Sequence, residues 1–89
     1  MIMRRAGAGL NLLRVSWKVV PTGKETWEGS GSPYWVFVER IKDTFGDAPV
    51  SPREIHYEVT GPLGLSPEDT ITLIKNALRE GYLKYAKGV

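Results

Sequence analysis

Ser51-Pro52-Arg53-Glu54-Ile55, then Leu63-Gly64-Leu65-Ser66-Pro67-Glu68-Asp69, then Ala77-Leu78-Arg79-Glu80-Gly81-Tyr82-Leu83 have the spacing of two helices joined by a turn and closed by a glycine. Each Ser-Pro is a helix start. The hydroxyl accepts from a free first-turn amide, Pro is pre-set for the first helical position, and an acid three residues after the Ser reaches back to the cap amide. One helix therefore opens at Pro52, carries Ile55 and Val59 inward and cannot pass Gly61-Pro62 cleanly. The same device at Ser66-Pro67-Glu68-Asp69 opens another, which runs to about Glu80 and is broken by Gly81. On a 100° step Ile71, Ile74, Leu78 and Tyr82 fall on its core side, and Asp69, Thr72, Leu73, Asn76, Arg79 and Glu80 on the other.

Working outward toward the N-terminus, Ala48-Pro49-Val50 is an extended link. Before it, Ser32-Pro33 opens a helix whose Tyr34, Phe37, Val38, Ile41 and Phe45 share one face, with Gly46 as its stop. Gly29-Ser30-Gly31-Ser32 reads as a hinge. Leu13, Val15, Trp17 and Val19 alternate with Arg14, Ser16 and Lys18, the period of a half-buried strand with a basic outer face. Pro21-Thr22-Gly23-Lys24 signals a turn, and Glu25-Thr26-Trp27-Glu28 returns as a second strand, so a β-hairpin is expected over residues 10–29. Residues 1–9 read as a flexible basic arm. Beyond Gly81, Tyr82-Leu83-Lys84-Tyr85-Ala86-Lys87 reads as a strand with Leu83 and Tyr85 on one face. The expectation is one α+β domain over 10–89: hairpin, three helices and a C-terminal strand.

Eighty-nine residues and 9.9 kDa suit one small core. No Cys and a single His, His56, exclude a disulfide framework, a thiolate zinc site and a histidine-rich metal site. His56 lies two residues from both Glu54 and Glu58, a spacing that puts each carboxylate on a different side of a helix, so it reads as a surface or core-edge histidine. Gly61-Pro62-Leu63-Gly64 lacks the basic residue and helix phase of a phosphate loop. With no buried carboxylate pair either, no catalytic residue, cofactor or metal is expected, and the chain reads as a non-enzyme. Trp17, Trp27 and Trp35 read as core. No apolar run approaches the ~20 residues that span a bilayer, and no signal-peptide pattern follows Arg4-Arg5, so a cytoplasmic protein with no membrane partner is expected. The chain has no Gln and only two Asn, Asn11 and Asn76, a depletion shared with thermophile proteins.

Charge is segregated. Residues 1–24 carry Arg4, Arg5, Arg14, Lys18 and Lys24 without an acid, for +5; residues 25–69 sum to −6, and residues 70–89 to +3. Two basic ends that meet in the fold make one face suited to a polyanion.

Residues 33–89 resemble the winged helix-turn-helix superfamily common in archaeal and bacterial DNA-binding proteins, on the strength of the three motifs quoted above. The Ser66-to-Gly81 spacing matches the superfamily's recognition helix. Two departures stand out: Ile55 to Ser66 is several residues longer than usual, and only one strand fits after Gly81 where a two-stranded wing is usual. Pairing residues 12–20 with residues 82–87 supplies the missing partner. The resemblance implies that the third helix enters a major groove of double-stranded DNA, as in a transcription regulator or nucleoid-associated factor. Thr72, Asn76 and Arg79 are then the base-contact candidates, since Asn pairs with adenine, Arg with guanine and the Thr methyl with thymine. Arg4, Arg5, Arg14, Lys18, Lys24, Lys75, Lys84 and Lys87 are the phosphate-contact candidates. Against DNA stand Glu68 and Asp69, which repel a polyanion, and Leu73, which suits a protein interface. The alternative is a winged helix that binds protein through Leu73, as a homodimer or as an adaptor subunit of a transcription, replication or other assembly.

Overall fold

A computed structural model describes residues 13–24 and 33–86. It is an α+β fold of three helical segments over a two-stranded antiparallel sheet. Helix α1 spans Pro33–Phe45 and buries Val38 and Ile41 fully, with Tyr34, Phe37 and Phe45 half-buried beside them. Trp35, one position off that face, and Trp17 also pack against the core. Trp27 lies outside the described residues.

Helix α2, Pro52–Ile55, starts on the expected capping box: the Glu54 amide donates to Ser51 Oγ (3.2 Å) and the Ser51 amide to Glu54 Oε1 (2.9 Å). It runs on without a break into a π-helical turn, His56–Thr60, closed by the Gly61 amide donating to the His56 carbonyl at 2.6 Å. In an α-helix a residue five places along rotates off the starting face, whereas a π turn, bonded five residues apart, brings it back. Ile55, Val59 and Thr60 are accordingly all buried. The turn also requires Gly61, because a Cβ there would stand 2.6 Å from the His56 carbonyl oxygen.

Helix α3, Pro67–Glu80, buries Thr70, Ile71, Ile74 and Ala77. Its start corrects one expectation. Ser66 Oγ accepts from the Asp69 amide at 3.0 Å, but no bond returns to the cap amide. Asp is one methylene shorter than the Glu that completes the box at Ser51. The helix stops at Gly81 in the left-handed region (φ 87°), with Gly81 and Tyr82 amides donating to the Leu78 and Ala77 carbonyls, a Schellman ending. Tyr82, expected on the helix's core side, lies past this stop and is buried there.

The sheet departs more from expectation. Strand β1 is Val19–Pro21, much shorter than the alternation from Leu13 suggests, and it pairs with β2, Leu83–Tyr85, in the register Val19↔Tyr85, Val20↔Lys84, Pro21↔Leu83. On its other side Val19 exchanges both backbone bonds with Val50 (2.9 and 3.0 Å), so the link between α1 and α2 joins the sheet as a bridge. Residues 13–18 form no regular strand, and the last ladder bond among the described residues runs from the Ala86 amide to the Lys18 carbonyl. The segment Thr22–Lys24, expected to turn toward a return strand, makes contacts of its own with the helices. It docks on the end of α3, Thr22 Oγ1 donating to the Gly81 carbonyl (2.7 Å) and the Thr22 amide to the Tyr82 carbonyl (3.1 Å). The expected arm over 1–9 and return strand over 25–28 lie outside the described residues.

Candidate nucleic-acid interface

The helix–turn–helix formed by α2, its π turn and α3 is fixed from inside by a buried pair of hydroxyls. Thr60 and Thr70 are both fully buried, with their Oγ1 atoms 2.6 Å apart. Thr70 Oγ1 donates its single proton to the Ser66 carbonyl (2.9 Å), so Thr60 is the donor between them. His56 sets the turn from the outside: its Nε2 lies 3.2 Å from the Leu65 carbonyl oxygen. A histidine at the core edge, structurally engaged, accounts for this residue.

With its core face thus fixed, α3 presents Thr72, Lys75 and Arg79 to solvent, with Asn76 half-buried among them. At positions 72, 75, 76 and 79 these four form one stripe along the helix. Arg79 Nη2 donates to Asn76 Oδ1 at 2.6 Å, a bond between two of the three base-contact candidates that periodicity does not reveal. Leu73 is half-buried, and among the described residues it is not one of the side chains packed against the main core. Glu68 and Asp69 are exposed at the helix start, where they complement its dipole.

Among the described residues, Lys18 and Lys84, Lys24, and Arg14 lie at three separate places. Lys18, Val20, Lys84 and Ala86 alternate with Trp17, Val19, Leu83 and Tyr85 across the β1–β2 register, which places Lys18 and Lys84 diagonally on one face of the ribbon. Behind them Trp17 meets Tyr85 edge-on, ring centroids 5.5 Å apart. Lys24 is engaged at the end of α3: its Nζ donates to the Glu80 carbonyl (2.8 Å) and stands 4.9 Å from the centre of the Tyr82 ring. Arg14 sits apart from the ribbon, on a cleft of about 360 Å³ that it lines with Leu13, Phe45, Arg53, His56 and Tyr57. No local pattern signals that cleft, since its walls come from three separate segments. Arg4, Arg5 and Lys87 lie outside the described residues.

No helix among the described residues is long and apolar enough to cross a membrane. Comparison with protein-family models, with curated proteins and with solved structures returned no match for this chain.

Proposed function

We propose that this chain is a small double-stranded-DNA-binding protein of the winged-helix kind, acting as a transcription regulator or nucleoid-associated factor. In this reading α3 lies in the major groove while Lys18 and Lys84 on the ribbon meet phosphates. The observation that carries it is the stripe Thr72, Lys75, Asn76 and Arg79 on the outward side of the second helix of a helix–turn–helix: two cations and two hydrogen-bonding side chains, with the acids Glu68, Asp69 and Glu80 toward the helix ends. Groove-reading helices present side chains of this kind.

A titration of the full chain with mixed-sequence duplex DNA over a salt series tests it. Binding that is strong near ~50 mM salt and falls steeply as salt rises is expected, because phosphate contacts release condensed counterions. Absence of binding at the lowest salt overturns the reading. One observation favours a second reading. Leu73 lies half-buried on the same outward side and, among the described residues, is not packed against the main core, as an anchor for a protein partner or a second copy would be.

A further inference from the structure

Asparagine reads adenine with both ends of its amide, Oδ1 accepting from the base N6 amino group while Nδ2 donates to N7. Here Oδ1 of Asn76 already accepts from Arg79. An amide oxygen has a second lone pair, but this bond turns the acceptor end of the Asn76 amide toward the guanidinium. Guanine presents two acceptors, N7 and O6, along its major-groove edge. Arg79 matches them. Its Nη2 carries two hydrogens, and spending one on Asn76 leaves the other, with a neighbouring N–H, as a parallel pair of donors.

Resting on the reading of α3 as a groove helix, we propose that the helix selects guanine through Arg79, and that Asn76 is a positioning residue which holds the guanidinium instead of reading adenine. The surroundings agree with this division of labour. Arg79 is exposed and Asn76 half-buried, so the shorter side chain forms the base and the longer one the reaching tip. An arginine free in water gives up much rotamer freedom on meeting a base. One already braced at 2.6 Å by its neighbour three residues back has lost part of that freedom beforehand. Lys75, exposed on the same stripe, adds positive charge beside Arg79.

The test is selection from a randomised duplex library by the full chain, followed by competition between duplexes differing at the selected position, for the wild type and for Arg79→Ala, Asn76→Ala and Asn76→Asp. Circular dichroism checks that each variant is folded. Asp keeps an acceptor for Arg79 but cannot donate to adenine N7, so the two roles of Asn76 predict opposite results for it. The wild type is expected to select guanine. Arg79→Ala should abolish that preference, Asn76→Ala should weaken it about tenfold, and Asn76→Asp should retain it at lower overall affinity. Selection of adenine, lost in both Asn76 variants, overturns the assignment while leaving duplex binding intact. So does a guanine preference that Asn76→Ala leaves unchanged. Failure of the wild type to bind any duplex overturns the groove reading itself, and this inference with it.

Discussion

Thr70 has two hydrogen-bonding tasks and Thr60 one, so the two buried threonines are not equivalent. Replacing Thr60 by Val removes a donor from Thr70, whose hydroxyl keeps the Ser66 carbonyl. Replacing Thr70 by Val strands the Thr60 hydroxyl in a dry interior, while the Ser66 carbonyl still accepts from the residue 70 amide at 3.0 Å. An unpaired buried hydroxyl costs about 1–3 kcal/mol, and a net hydrogen bond only ~1 kcal/mol. Thr70→Val should therefore lower unfolding free energy more than Thr60→Val, a ranking that urea titration of both variants measures. Equal losses would mean that Thr60 finds another acceptor. Helical period puts Thr70 on the core face of α3, but nothing in it marks Thr60, which reaches the core only because the π turn carries it there.

At the scale of elements, the outward side of α3 serves either groove or partner, and Leu73 distinguishes them. Leu73→Ala removes an apolar anchor without adding charge. For a groove helix the variant should hold duplex affinity within about threefold, since a methyl contact is a minor part of base readout. For a helix that docks on protein, truncating a central anchor costs ~2 kcal/mol or more, and solution mass by light scattering should fall toward the monomer. The elements themselves were legible because their signals are local. Ser51 and Glu54 cap each other, Ser66 caps Asp69, and Gly81 supplies a backbone conformation that other residues resist. What eluded the sequence depends on contacts between distant segments. The alternation from Leu13 reads as a strand, but a strand exists only as far as a partner ladder runs beside it, and here it covers Val19–Pro21. Likewise Pro21-Thr22-Gly23-Lys24 has turn chemistry, and only the nearby carbonyls at the end of α3 turn it into a cap. The candidate base-contact stripe followed from helical period, whereas the Asn76–Arg79 bond is a choice of rotamers that period does not fix.

For the whole molecule, the consequence of pairing β1 with β2 is kinetic. Thr22 bonds Tyr82 across 60 positions of sequence, so this seam closes a loop that holds the entire helical part of the fold. Closing so large a loop early costs chain entropy before any neighbouring contact repays it, whereas the capped helices form from residues close in sequence. The order of events follows: helix pairing first, with β1 laid against Val50 and β2 after the barrier has been crossed. Val19, fully buried between those two partners, reports on that step. Val19→Ala should cost about 2 kcal/mol in stability. Nearly all of it should appear as unfolding accelerated roughly thirtyfold, with the refolding arm of the chevron almost unmoved. A variant that instead refolds slowly would place the seam inside the folding nucleus. If the seam closes late it also opens early, and the ribbon that carries Lys18 and Lys84 is then the part of this protein that comes and goes while the helices stay assembled.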